Sequence, residues 1–304
     1  MNMQNSSIEP WLQHLADEGR SPYTLAGYRR GLTHFLNWYQ QAYHDQTVFN
    51  PAAVLPKDFT EWKVFQQTVV GDKPATINQR VAAVRQYFSW LYNSGQISRN
   101  PAGSVKALDL DDDDFKGLDE QEYRQFMRAV YADENLRDIA IIEVMVGAGL
   151  RIGEALDLRI GDLILRERET EKNYSYLIVR EGKGMKRRSI PMSKAVKDAL
   201  NAYLTKHADK GNANAPLWTG QRGALGDPSA ISRIVTYYAR KARLEAPQVH
   251  PHTLRHTFAY RFLHKFPGDI RTLADLLGHK DLKTTMKYTV SLGADKAAKM
   301  SEMD

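Results

Sequence analysis

Two long stretches near the N-terminus carry apolar residues at spacings of three and four. In SPYTLAGYRRGLTHFLNWYQ, Leu25, Tyr28, Leu32, Phe35, Leu36 and Tyr39 share one face. Ser21 is placed to cap this helix and Pro22 to occupy its first position. ATINQRVAAVRQYFSWLYNSG repeats the pattern with Ile77, Val81, Val84, Phe88 and Leu91, and Gly95 closes it. Between the two, Phe59 to Val69 forms a weaker helical segment. Periodicity is then lost across NPAGSVKALDLDDDDFKG, which predicts a linker over 106–117 joining a helical domain, 1–105, to a second domain, 118–304.

The second domain opens with another helical series, LDEQEYRQFMRAV. LRDIAIIEVMVGAGLRIGEALDL then reads as a buried helix up to Gly147, a turn, and a new helix starting near Arg151. DLILRERE, YSYLIVRE and RRSIPMS are short β-type segments joined by turns, and they predict a small three-stranded antiparallel sheet. From Lys194 onward the pattern is helical again. The expected fold class is mainly α, with a small antiparallel β-sheet in the second domain.

Composition narrows the function classes. The chain has 304 residues, 42% of them hydrophobic and 26% charged, which is ordinary globular usage. No run approaches the roughly 18 apolar residues of a membrane span. MNMQNSSIEPW lacks the basic start and apolar run of a secretory signal. With no cysteine, disulfides and thiolate metal sites are excluded, and a cytoplasmic protein without membrane partners is expected. The net charge is +6 and unevenly spread: residues 1–108 carry +3, residues 109–122 carry −7, and residues 123–304 carry +10. Two basic blocks around an acidic one point to a polyanion, with DNA or RNA as the leading partner class. Arg29, Arg30, Arg80 and Arg85 lie off the apolar stripes and read equally as phosphate contacts or as solvated surface.

Five of the nine histidines fall between residues 250 and 279. In VHPHTLRHTFAYRFL, Pro251 marks a helix start, and His252 and Arg255 share a face at i and i+3. His256, one residue further on, is expected to point elsewhere. A zinc reading would pair His252 with His256, but the position after the first histidine is Thr253, where a metalloprotease helix needs glutamate. Three more segments ask for an explanation. In ADLLGHKDLKTTMKYT, Gly278 breaks a helix, His279 follows, and Tyr288 comes nine residues later. In GAGLRIGEALDL, Arg151 opens a helix whose N-terminus favours anions. In VREGKGMKRRSIP, Gly182 and Gly184 flank Lys183 in a turn that exposes its ammonium.

Together, GAGLRIGEAL, EGKGMKRRSIP, HPHTLRHTFA and LADLLGHKDLKTTMKYT resemble the successive signature boxes of the tyrosine recombinases, or phage-type integrases, including Xer-like proteins. The N-terminal block resembles their SAM-like core-binding domain, so the likeness spans most of the chain. The resemblance implies a C-terminal tyrosine-recombinase catalytic domain whose six site residues are Arg151, Lys183, His252, Arg255, His279 and Tyr288. Tyr288 would be the nucleophile, forming a 3′-phosphotyrosyl bond. Arg151 and Arg255 would clamp the non-bridging oxygens, because planar guanidinium forks match phosphate and stay charged. Lys183 would protonate the leaving 5′ oxygen, with Lys186 as the alternative. His252 would handle protons and His279 would contact an oxygen. Glu154, one turn after Arg151, is expected to orient that arginine or another basic side chain. Lys186, Arg187 and Arg188 are candidate DNA contacts beside it.

The implied activity is site-specific recombination of double-stranded DNA through a four-way Holliday junction, by a tetramer on two DNA sites. A partner recombinase or accessory protein is compatible with it, and no metal, nucleotide or other cofactor is needed. A type IB topoisomerase-like nicking-closing enzyme and an inert DNA-binding regulator are the rival readings. The acidic run Asp109 and Asp111 to Asp114 departs from a DNA-facing linker and is expected to face solvent or a neighbouring protomer. The sixteen residues after Tyr288 are long enough for a helical tail.

Overall fold

A computed structural model describes residues 8–43, 49–109, 117–170, 173–180, 187–207, 209–220, 223–245, 249–279 and 281–290. The chain divides into two compact units, Met1–Asp112 and Asp113–Asp304.

The first unit is helical: α1 Glu9–Asp17, α2 Pro22–Tyr43, α3 Pro56–Phe65 and α4 Pro74–Asn93. The Ser21 hydroxyl accepts from the Thr24 amide at 3.2 Å, as a cap should. Gly95, at φ 72°, takes the left-handed conformation just beyond α4. Aromatic rings fill the core around Phe35, which stacks on Phe59 at 5.3 Å and meets Trp62 and Phe88 edge-on. α2 and α4 cross closely at Gly31, where a Cβ would sit 3.1 Å from that of Ala83. The weak periodicity after Phe59 has a visible outcome: α3 widens into a π-type turn over Gln66–Val70 before Gly71 ends it at φ 74°. The Lys106 carbonyl accepts from Lys63 Nζ, and the Leu108 backbone exchanges hydrogen bonds with the Asn78 amide, so the chain as far as Leu108 is tied to this unit. Asp109 is exposed, and Asp111 to Asp114 lie outside the described residues.

The second unit contains α5 Glu120–Tyr131, α6 Leu136–Ala148, α7 Ile152–Leu156, β1 Leu163–Ile164, β2 Tyr176–Arg180, β3 Arg187–Pro191 and α8 Lys194–Thr205. A short hairpin, β4 Thr219–Gly220 with β5 Gly223–Ala224, leads to α9 Pro228–Lys241, α10 Pro251–Lys265, α11 Ile270–Leu277 and α12 Leu282–Val290. The expected three-stranded sheet is present, antiparallel and in the order β1-β2-β3, with Leu177 opposite both Leu163 and Ile190. Its inward face (Leu177, Val179, Ile190) joins one core with α6, buried on nearly every side because almost every residue in it is apolar. Gly149 ends α6 at φ 61°, and a Cβ there would lie 2.4 Å from a Phe258 ring carbon. That stop turns the chain into α7 and fixes where Arg151 sits. No helix among the described residues is long and apolar enough to cross a membrane.

Candidate active site

Four separate segments converge beside α10: the α6–α7 turn, β3, the end of α11 and α12. Arg151 is the N-cap residue of α7, and Glu154 is one turn on. The Glu154 carboxylate is the organising group. It accepts from the Arg151 amide and from Arg151 Nη1, both at 2.8 Å, and from Arg188 Nη1 and Nη2 at 3.0 and 2.8 Å. Arg255 Nη1 lies 3.8 Å from the same carboxylate. Burial pushes this carboxyl up, but the bonds from Arg188 and Arg151 outweigh it and hold it below the usual range.

Arg255 is 3% exposed. It donates through Nη1 to the Gly149 carbonyl and through Nη2 to the Leu277 carbonyl, each at 2.7 Å, and Nη2 also reaches His279 Nε2 at 3.0 Å. Burial, and then Arg151, push its pKa down to about 10, which leaves it a cation at neutral pH. A guanidinium only donates, so His279 Nε2 must accept. Nδ1 therefore carries the proton and donates to Thr285 Oγ1 at 2.8 Å. Burial and the nearby Arg255, Arg151 and Arg188 lower the His279 pKa to about 4, so the ring is neutral. Arg151 is the more open cation: its side chain is 42% exposed, and beyond Glu154 its Nη2 donates to the Gly278 carbonyl, 3.4 Å away.

Tyr288, on α12, is 4% exposed and packs with Leu263, Leu273 and Leu277. Its ring lies nearly parallel to that of His279, 6° between planes and 6.5 Å between centroids. Its hydroxyl is 3.0 Å from His256 Nδ1 and feels the charge of Arg255. Desolvation raises the phenol pKa, while Arg255 and Arg151 pull against that rise. His252 sits in the first turn of α10 with its ring exposed. Partial desolvation and the charges of Arg255 and Arg151 hold it below the ordinary histidine value.

Of the six expected site residues, Arg151, His252, Arg255, His279 and Tyr288 are thus gathered, and Glu154 is bonded to Arg151 and Arg188. Lys183 and its alternative Lys186 lie outside the described residues. Two expected DNA contacts need correction. Arg188 is 11% exposed and turned inward, donating to both Glu154 oxygens and, through Nε, to the Leu276 carbonyl at 3.0 Å. A Cβ on Gly278 would lie 2.7 Å from its Nη1, so the glycine makes room for it. Arg80 is likewise engaged within its own unit, paired with Asp72 at 2.5 Å and bonded to the buried Gln66 at 3.0 Å. Arg30, Arg85 and Arg187 are exposed, and Arg29 pairs with Glu9 at the surface.

His256 is the correction in the other direction. Expected to point away from the site, it touches the Tyr288 oxygen. The site wraps around α10, so adjacent residues of that helix reach it from two sides. The adjacency of His256 to Arg255 was the available signal, and the one-face rule argued against using it. Among the described residues no three His, Asp or Glu gather as a metal site.

Comparison with known proteins gives the family. Residues 116–293 match the model of the phage integrase family, and residues 8–95 match that of the phage integrase N-terminal SAM-like domain. Tyrosine recombinase XerC of Actinobacillus pleuropneumoniae serotype 7 is 32% identical over 95% of this chain and 91% of its own. The XerC of Thermodesulfovibrio yellowstonii is 31% identical over 93% and 90%. Among solved structures, the XerH recombinase bound to a palindromic difH substrate in a post-cleavage complex superposes with a TM-score of 0.72 at 19% identity, covering 91% of this chain and 80% of that one. A lambda integrase dimer bound to a COC′ core site gives 0.68 at 17%, covering 93% and 76%. At these identities the structural likeness speaks for the fold, while the family match and the XerC relatives carry the assignment. The chain belongs to the phage integrase family of tyrosine recombinases.

Proposed function

We propose that this recombinase cuts and rejoins double-stranded DNA at a specific site, with Tyr288 as the nucleophile of its own protomer. The Tyr288 oxygen attacks the scissile phosphorus, the bond from phosphorus to the 5′ oxygen breaks, and the strand is held as a 3′-phosphotyrosyl ester. A 5′ hydroxyl from the partner duplex then attacks that ester and returns Tyr288 to its resting form. Repeating the exchange on the second pair of strands resolves the Holliday junction.

The observation that carries this reading is the seating of the Tyr288 hydroxyl against Arg255 of the same chain, with Arg151 and His279 beside it. Arg151, the more open guanidinium, holds the non-bridging oxygens. Arg255 supplies fixed positive charge where negative charge grows in the transition state, as preorganised donors do. His252, exposed in the first turn of α10, contacts a phosphate oxygen, while His279 accepts from Arg255 at Nε2 and so keeps that guanidinium in place. Lys183 is the acid for the leaving oxygen in this scheme, a role that rests on its family motif. Arg29, Arg30, Arg85 and Arg187 provide backbone contacts that set register rather than sequence. The functional assembly is a tetramer on two cytoplasmic DNA sites, alone or with a partner recombinase.

The test is strand exchange between two duplexes of different length carrying the recognition site. Recombinant products joining the two duplexes are expected. Resealing of the parental strand alone would mark a topoisomerase-like enzyme, and binding without cleavage would mark a regulator.

A further inference from the structure

Among the described residues, Arg255 and His256 stand by the Tyr288 hydroxyl with opposite character. Arg255 can only donate, so it offers the phenolic oxygen positive charge and no acceptor. The phenolic proton then needs an acceptor, and His256 Nδ1 lies 3.0 Å away. The ring belongs to α10 and the tyrosine to α12, with centroids 5.5 Å apart, so both are held by packed helices rather than loops. The start of the second unit backs them: a Cβ on Gly117 would come within 2.9 Å of the His256 carbonyl carbon, so only glycine lets this segment lie against α10 there.

We infer that His256 is the proton acceptor for the nucleophile: its Nδ1 takes the phenolic proton of Tyr288 as the oxygen bonds to phosphorus. This rests on Tyr288 being the nucleophile. In the forward step the O–H bond breaks, an N–H bond forms on His256, the bond from Tyr288 to phosphorus forms, and the 5′ oxygen leaves with a proton from the site's acid. In the rejoining step the sequence reverses, and His256 returns its proton to the departing Tyr288 oxygen. One residue therefore serves both halves of the reaction, as microscopic reversibility requires.

The charges facing His256 add a condition. Burial comes first; His252 and His250, rings that compete with it for a proton, then Arg255 beside it and His279 at the end of α11 add to it, and together they lower its pKa to about 4. Without DNA the ring is neutral and Tyr288 keeps its proton. A phosphodiester bound between Arg151 and Arg255 adds negative charge to this cluster, and the developing transition state adds more. Proton transfer to His256 is thereby favoured only when substrate is present, which keeps the phenol un-ionised between events.

The experiment is single-turnover cleavage of a nicked suicide duplex between pH 5.5 and 9 by the full-length protein. The variants are His256→Asn, whose amide oxygen can still accept from Tyr288 but does not titrate, and His256→Ala. Thermal melting and DNA affinity are measured alongside. General-base catalysis is typically worth about 100- to 10,000-fold, so both variants should cleave at least about 100-fold more slowly. Their rates should climb with pH as hydroxide takes over, and added imidazole should partly rescue the alanine variant. Religation from the covalent complex should slow in step.

Rates within about threefold of wild type, or faster cleavage, would overturn the inference. So would slow cleavage with an unchanged pH profile and no imidazole rescue, which would mark His256 as positioning only. If alanine unfolds the site, the asparagine variant alone decides. Tyr288→Phe is the separate control: an adduct surviving it refutes the nucleophile assignment and not merely the role of His256.

Discussion

Replacing Glu154 with glutamine keeps the side chain's size but removes its charge and turns one oxygen into an NH2 group. The carboxylate accepts four hydrogen bonds, two from Arg151 and two from Arg188. Glutamine can keep those made to one oxygen; its NH2 then faces a guanidinium, donor against donor. Removing one partner of a buried ion pair costs roughly 3–5 kcal/mol, because the other charge is left without compensation. Arg188 and Glu154 are 11% and 12% exposed and fall near that regime, whereas Arg151 at 42% is screened by water and adds little. The expected loss is about 2–4 kcal/mol. For a unit of this size that lowers Tm by about 4–16 °C, at roughly 2–4 °C per kcal/mol.

Calorimetric unfolding of the full chain reads that loss, and suicide-substrate cleavage reads its consequence, since Arg151 and Arg255 both lean on this carboxylate. A double-mutant cycle with Arg188→Met separates the pair from its surroundings. Melting within 1 °C of wild type together with unchanged cleavage would refute the view that Glu154 organises the cationic cluster.

Further outcomes follow from the same geometry. Because His256 and His279 have folded pKa values of about 4, below the unfolded value near 6.5, the unfolded chain binds more protons between those limits. Stability is therefore retained above about pH 6.5 and lost on acidification towards pH 4. The loss is at most about 3 kcal/mol per ring and smaller for partly hydrated ones; melting curves from pH 7.5 to 4.5 test the sign, and a Tm that rises on acidification contradicts it. Glu154, depressed rather than raised, adds its own loss only below about pH 4.5. Arg30→Ala should flatten the dependence of log binding constant on log salt by about 0.9 if it touches one phosphate. Arg80→Ala should lower stability and leave that slope alone. Gly278→Ala, with φ at 66° and a Cβ 2.7 Å from Arg188 Nη1, should displace Arg188 and slow cleavage while the first unit melts normally.

How far the sequence carried depended on the kind of information needed. Apolar spacing marks α2 and α4, an almost wholly apolar stretch marks α6, and short β-type segments between turns mark the sheet, because burial is written into the local chain. Arg151, Arg255, His279 and Tyr288 were legible through their motifs, although nothing local shows that the α6 stop at Gly149 and the α11 stop at Gly278 bring them together. The fate of a charge was not legible. Arg188 and Arg80 look like any surface arginine until their partners appear, and Glu154 lies 34 residues before Arg188. The place of His256 is hidden for a related reason: a one-face rule holds for a helix meeting one neighbour, and α10 meets its site from two sides.

The central claim is that a cluster of cations holds one phosphate while the Tyr288 oxygen of the same chain displaces the sugar. Its most direct measurement is peptide mapping of the protein trapped on a nicked suicide duplex. DNA should be attached by its 3′ phosphate to the peptide containing Tyr288, and no adduct should form with Tyr288→Phe or with a mixture of Tyr288→Phe and Arg255→Ala proteins. Attachment at another residue, an adduct that survives Tyr288→Phe, or complementation in the mixture would contradict it.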